Sequence, residues 1–146
     1  MSKKDYLMRS LMFVPGHNEK FILNAASSDA DVILLDVEDS VMPATNKQLA
    51  RDNIKRHIEE KTFSGSDVFV RINEFSSGHL LQDIMQLSIE GITGFLLSKA
   101  NSVEDIVLLD KLLALIEIER GIPLGEFKII PILETAESII NSNEIA

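Results

Sequence analysis

Three carboxylates fall within four positions, Asp36, Glu38 and Asp39, directly behind the apolar run Val32-Ile33-Leu34-Leu35. A short unbroken apolar run reads as a strand buried on both faces, as in parallel sheets covered by helices. The acids then stand at that strand's carboxyl end, where parallel α/β proteins bind their ligands. The pattern recurs along the chain. Arg71 lies between Val70 and Ile72 and precedes Asn73, Lys99 closes Gly94-Phe95-Leu96-Leu97-Ser98, and Glu134 closes Ile129-Ile130-Pro131-Ile132-Leu133. A half-buried guanidinium needs an anion and binds carboxylates through two parallel hydrogen bonds. Its partner is either a ligand or one of Asp36 and Glu38. Glu134 either takes a hard divalent cation such as Mg²⁺ or pairs with Arg71. Lys99 and Lys20 would meet an anionic ligand or stay solvated, and His17, His57 and His79 show no metal-ligand spacing.

Only a particular scaffold brings these positions together. Five apolar runs (11–14, 32–35, 68–73, 94–99 and 128–134) alternate with helical patterns. The first helix opens at Asn18-Glu19 and fades at Ser27-Ser28. The second runs from Lys47 to Lys61, capped by Thr45 or Asn46, with Leu49, Ile54 and Ile58 inward. The third turns Leu80, Leu81, Ile84 and Leu87 inward. The fourth starts at Ser102 with Asp105 three positions on, a capping box, and stops at Gly121 and Pro123. A fifth begins at Thr135. This β-α alternation calls for a parallel sheet with right-handed crossovers. The strand ends at Asp36, Arg71, Lys99 and Glu134 are spaced by 35, 28 and 35 residues, one βα unit each. Residues 1–146 are expected to form a single domain. Pro131 fits a central strand only at a bulge or bend.

Composition narrows the function. The net charge of −9 argues against a nucleic-acid binder, which carries a basic footprint. With no cysteine, thiol catalysis and zinc–thiolate sites are excluded. No apolar run reaches the ~18 residues of a membrane span, and Met1-Ser2-Lys3-Lys4-Asp5 lacks a signal peptide's apolar stretch, so a cytoplasmic location is expected. No phosphate-loop or dinucleotide fingerprint occurs.

Four segments resemble one family. Arg9-Ser10-Leu11-Met12-Phe13-Val14-Pro15-Gly16, Leu35-Asp36-Val37-Glu38-Asp39-Ser40-Val41, Val70-Arg71-Ile72-Asn73 and Pro131-Ile132-Leu133-Glu134-Thr135-Ala136 are similar, in order, to motifs of the citrate lyase β-subunit family within the HpcH/HpaI-type aldolases. The resemblance implies a (β/α)₈ TIM barrel, here about five βα units of it. It implies Mg²⁺-dependent carbon–carbon cleavage of a 3-hydroxyacyl-CoA thioester such as citryl-, malyl- or citramalyl-CoA. Arg71 would hold the keto-acid carboxylate, Glu134 the metal, with a second metal carboxylate expected beyond Ala146. Asp36 and Glu38 would support the catalytic site, while Arg9 and Lys20 would meet CoA phosphates. Ser98 stands where the family more usually has proline. Unpaired sheet edges favour a homo-oligomer, and other citrate lyase subunits or an acyl-carrier thioester are conceivable partners. Two alternatives stay open: a non-catalytic remnant or regulatory subunit of the same fold, and a class II aldolase acting on free hydroxy-keto acids.

Overall fold

The computed structural model describes residues 6–146; Met1–Asp5, read above as lacking a leader stretch, lie outside the described residues. Five strands, β1 (Leu11–Pro15), β2 (Val32–Asp36), β3 (Asp67–Ile72), β4 (Gly94–Leu97) and β5 (Lys128–Pro131), form one sheet in the order β1-β2-β3-β4-β5. Every neighbouring pair is parallel. Between and after them run α1 (Glu19–Ala26), α2 (Lys47–Glu59), α3 (Leu80–Leu87), α4 (Val103–Arg120), α5 (Ala136–Ile140) and α6 (Ser142–Ile145). The α/β alternation expected from the sequence is therefore present.

Strand order decides how the layers are arranged. The order never reverses, and helices α1 to α4 all pack on the same face. Ile22, Ala25, Ile54, Ile58, Ile84, Leu87, Leu109 and Leu113 share one cluster with Ile33, Leu35, Val68, Val70, Phe95 and Leu97. The alternate strand residues Val32, Leu34, Phe69 and Leu96 point the other way, joined by Ile130 and Ile132. Residues two apart in a strand share a face, so Asp36 and Arg71 continue this second face at its carboxyl end.

Local chemistry explains the boundaries. Asn18 caps α1 by accepting from the Phe21 N–H at 3.2 Å, and Ser102 with Asp105 forms the expected capping box. Gly121, at φ 69°, ends α4 in the left-handed region. Gly94 is required by close approach, because a Cβ there would lie 2.1 Å from the Lys128 carbonyl oxygen. Strand β5 stops at Pro131, short of the predicted 134, and lies at the sheet edge. The Lys128 and Ile132 N–H groups donate to β4 and its approach (Thr93 and Leu97 carbonyls). By alternation the Pro131 nitrogen faces away from β4, where a missing donor costs no ladder bond.

Two predicted inward residues are corrected. Leu49 and Leu81 are exposed. Helix α2 instead turns Lys47, Ala50, Arg51, Ile54 and Ile58 inward, and α3 turns Leu80, Asp83, Ile84 and Leu87 inward. Lys47 and Arg51 in α2 and Asp83 in α3 take places in the buried stripes that apolar periodicity does not mark. Neither Thr45 nor Asn46 caps α2 with its side chain; residues Ala44–Asn46 make a short 3₁₀ turn before it. The corrected stripe has a direct consequence. Ile54→Ala is expected to cost about 2–5 kcal/mol in urea unfolding, whereas Leu49→Ala should stay within about 0.5 kcal/mol.

Candidate active site

The carboxyl ends of β2, β3 and β4 bring a charged cluster together. Asp36 and Arg71 are paired across the β2–β3 register, and their side chains meet edge to edge. Arg71 Nε donates to Asp36 Oδ1 at 2.8 Å and Nη2 to Oδ2 at 2.5 Å. Asp36 is 1% exposed and accepts three more hydrogen bonds: from the Glu38 N–H at 2.8 Å, the Ser40 N–H at 3.1 Å and the Ser40 hydroxyl. Burial alone would raise this carboxyl. The donors from Arg71, Ser40 and Glu38 outweigh it and hold Asp36 below its ordinary range. The loop from Asp36 to Ser40 is thus folded around one side chain.

Arg71 is fixed from a second direction by the Phe13 ring, whose centroid lies 5.0 Å from the guanidinium carbon. Phe13 is itself about half exposed. With Nε and Nη2 committed to Asp36, Nη1 makes the longer 3.6 Å approach to Glu38 Oε2. Glu38 is buried and raised in pKa, mainly by that burial, while its Oε2 accepts from the Asp39 N–H. Lys99 completes the rim. It sits at φ 51° in the turn after β4, and its ammonium lies 3.3 Å from Glu74 Oε1 and 3.6 Å from Glu38 Oε1. The hydrogen bond to Glu74 raises the Lys99 pKa. The Lys99 N–H donates to Glu134 Oε1 at 3.0 Å. Glu134 is exposed and pairs with neither Arg71 nor another cationic side chain in a described salt bridge.

Beneath this rim is a second, dry tier. Lys47 is buried and its ammonium donates to the Val37 and Glu38 carbonyls, each at 3.0 Å, and to Asn73 Oδ1 at 2.7 Å. Asn73 donates through Nδ2 to the Val37 carbonyl and to Asp83 Oδ2. Asp83 Oδ1 accepts from Arg51 Nε at 2.8 Å. Burial lowers the Lys47 pKa and raises that of Asp83.

The sequence-predicted residues therefore divide. Asp36, Glu38, Arg71 and Lys99 come together, with Glu134 at their margin. Asn73 turns down into the dry tier. Lys20 lies exposed on α1. Arg9 is not brought to the cluster. Its guanidinium is bound to Asp31 at 2.9 and 2.7 Å and holds that carboxyl down to about 2. Both residues precede the amino ends of β1 and β2, roughly 16 Å of strand from the rim. Lys47, Arg51 and Asp83 were not singled out from the sequence. Their signal is a charged residue at stripe positions, Lys47 and Arg51 before Ile54 and Ile58, and Asp83 beside Leu80, Ile84 and Leu87.

A divalent cation has limited purchase on these groups. Among the described residues no group of three or more His, Cys, Asp or Glu side chains could hold one. Asp36 is saturated, and Glu38 faces two cations. Glu134 remains as an exposed carboxylate whose described contact is one backbone N–H. A single carboxylate completed by ligand oxygens and water is within the habit of Mg²⁺, so the donor set fits a shared site.

Removing the Asp36 charge should be strongly destabilising, because it strands a half-buried guanidinium. Asp36→Asn is expected to cost about 3–5 kcal/mol at neutral pH. Since the folded Asp36 pKa lies below the unfolded one, the pair's contribution is full above the ordinary aspartate value near ~3.9. It is lost as pH falls through the lower folded value. Urea unfolding of both proteins between pH 7 and pH 2.5 should show the gap closing at the acid end.

The comparisons follow this geometry. The family model for HpcH/HpaI aldolase/citrate lyase matches residues 9–146. The chain is 31% identical to the citrate lyase subunit beta of Leuconostoc mesenteroides subsp. cremoris over 140 residues, 96% of this chain and 46% of that protein. It is 32% identical to the L-malyl-CoA/beta-methylmalyl-CoA lyase of Rhodobacter capsulatus over 143 residues, 96% of this chain and 44% of that protein. The magnesium/glyoxylate complex of Haloferax volcanii malate synthase superposes with a TM-score of 0.83 at 20% identity, covering 97% of this chain and 47% of that one. The chain spans about half the length of the curated relatives it matches. With a family model matched from residue 9 to residue 146, the chain belongs to the HpcH/HpaI aldolase/citrate lyase family.

Proposed function

We propose that this chain supplies the keto-acid-binding half of a carbon–carbon lyase acting on a 3-hydroxyacyl-CoA thioester of the citryl-, malyl- or citramalyl-CoA kind. The observation that carries the reading is Arg71. Its guanidinium is locked along one edge by Asp36 and across one face by Phe13. Its Nη1 is left with only a 3.6 Å approach to Glu38. A carboxylate arriving at that corner meets a donor already oriented, so little ordering cost remains. The names of the relatives, a citrate lyase subunit and a malyl-CoA lyase, point to the same substrate class.

The chemistry matches the charges. Cleaving the bond between carbons 2 and 3 moves the hydroxyl proton to a base. The hydroxyl carbon becomes the keto-acid carbonyl, and the bonding pair passes to the thioester as its enolate. Arg71 would neutralise the carboxylate beside the hydroxyl carbon from the substrate through to the keto-acid product. Glu38, buried and raised in pKa, and Asp36 would support it, Asp36 by orienting Arg71. Glu134 would be one ligand of Mg²⁺, the second carboxylate coming from beyond Ala146. The metal, when bound, would supply Lewis-acid stabilisation of the keto-acid oxygens. Lys99 at the rim and Lys20 on α1 would meet anionic groups, Lys20 those of CoA. Arg9, held by Asp31, has no part in this reading.

The architecture supports a larger assembly. A sequential parallel sheet with α1 to α4 on one face is a sector of a (β/α)₈ wall, and a single domain over 1–146 would be its first five units. The remaining strands of that wall would pair with its open edges. A non-catalytic member of the family with the same fold is the second reading.

Calorimetric titration of pyruvate with and without 5 mM Mg²⁺ tests the proposal. Arg71→Gln should weaken binding about 10- to 100-fold, and Glu134→Gln should abolish the metal dependence. Unchanged affinity in Arg71→Gln would overturn the assignment, and a wild-type protein indifferent to Mg²⁺ would favour the non-catalytic reading. If a CoA thioester binds, Lys20→Ala should weaken it while leaving pyruvate affinity unchanged; pyruvate binding with no measurable thioester binding would favour a free-acid aldolase.

A further inference from the structure

Lys47 is a charged side chain in a place where charge is costly. Its residue is 8% exposed, and among the described residues its ammonium faces no carboxylate at hydrogen-bond distance. It spends all three described hydrogen bonds on the carbonyls of Val37 and Glu38 and on Asn73 Oδ1. Those carbonyls flank the residue whose carboxylate stands beside Arg71 and Lys99. A lysine used only as a stabilising charge would be better placed against Asp83 itself. Here the amide oxygen of Asn73 intervenes, and Asn73 is oriented by Asp83, which is oriented by Arg51. The chain of contacts runs from α3 and α2 to one peptide of the β2–α2 loop.

We propose that Lys47 is a positioning residue that fixes the Glu38 carboxylate against Arg71 and Lys99 by clamping the two carbonyls of its loop. The proposal rests on the reading of Arg71 and Glu38 as the ligand-facing pair. The clamp works from below, while Asp36 works from above by accepting the Glu38 and Ser40 N–H groups. With both in place the peptide from Val37 to Asp39 has its polar groups held on both sides, and the Glu38 side chain has one direction left. Without Lys47, the Val37 carbonyl keeps only Asn73 Nδ2, the Glu38 carbonyl keeps only the Val41 N–H, and Asn73 Oδ1 loses its described donor, so the loop is no longer tied to α2 at this point.

The groups around Glu38 make this distinguishable from simple electrostatics. Glu38 is faced by Asp36 and Asp39 on its own loop, Arg71 on β3, Lys99 after β4 with Glu74 beyond it, and Lys47 on α2. Deleting the Lys47 charge in a rigid loop takes a cation away from Glu38 and moves its titration up. Releasing the loop hydrates Glu38 and moves its titration down, toward the ordinary glutamate value.

The experiment follows the Glu38 carboxyl carbon by NMR through a pH titration of the full chain, its signal identified by loss in Glu38→Gln. In Lys47→Met the midpoint should fall by about 0.5 pH unit or more relative to wild type. Lys47→Arg should restore it, and pyruvate affinity in Mg²⁺ should drop about tenfold in the Met variant alone. A midpoint unchanged or raised in folded Lys47→Met overturns the proposal, whatever happens to the melting temperature. If Lys47→Met does not fold, Lys47→Gln, which keeps a donor but no charge, should hold the loop and raise the midpoint instead, and a fall in Lys47→Gln overturns the proposal. If the wild-type protein binds no pyruvate, the keto-acid reading fails, and the Glu38 midpoint alone decides the role of Lys47.

Discussion

The carboxyl rim of the sheet depends on the ion pair between Asp36 and Arg71. Both groups leave water on folding, a change that costs several kcal/mol per ion unless the remaining donors and acceptors are filled. Asp36 meets that demand with five donors, two from Arg71, two from Ser40 and one from Glu38. The same bonds fold the loop that carries Glu38 and stop the Arg71 side chain from swinging. The register makes this possible, since Asp36 and Arg71 are direct neighbours across the β2–β3 ladder and leave by the same face. A slip of one residue would send one of them into the helix layer.

Segregation of charge along the sheet follows from the parallel arrangement. All five strands run the same way, so residues that end them collect at one rim and residues that begin them at the other. The opposite rim has its own arrangement, the exposed Arg9–Asp31 pair, and a cavity of about 520 Å³ among Ile58, Phe63, Val68 and Gly91. That hollow collects no comparable set of paired charges. Between the rims the inner face is apolar, with Val32, Leu34, Phe69 and Leu96. The charged cluster is confined to one end because the middle of each strand has been given to packing.

Much of this was legible in the sequence, and the failures have a common cause. Apolar runs closing on Asp36, Arg71, Lys99 and Glu134 marked the strand ends, because strands of a covered parallel sheet leave few other places for charge. Ser102 and Asp105 marked a cap, and Gly121 its opposite, because those signals are local. Leu49 and Leu81 were misplaced because apolar periodicity takes every leucine as inward. What set the orientation of α2 and α3 was the burial of Lys47, Arg51 and Asp83, and each is interpretable only when the partners on another element are known. Arg9 stands before β1, bound to Asp31 at the end of the sheet away from the rim. Pro131 is accommodated because its nitrogen faces away from β4, between the Lys128 and Ile132 N–H groups that donate to β4 and its approach.

The dry tier explains why the cluster can be built within five βα units. Lys47 lowered and Asp83 raised in pKa are both signs of unfavourable burial, and an apolar substitute of the same volume would avoid that cost. What an apolar side chain could not do is hold carbonyl oxygens at a set place. Every partner in the upper and lower tiers, from Phe13 and Asp36 to Lys47, Arg71, Asn73, Asp83 and Lys99, lies between β1 and the turn after β4. The position of the Arg71 corner is therefore determined by contacts inside this chain. Glu134 differs. It touches the cluster through one backbone N–H of Lys99 and otherwise faces outward, so its carboxylate is the part of the rim whose final partners must come from outside the tier that holds the rest.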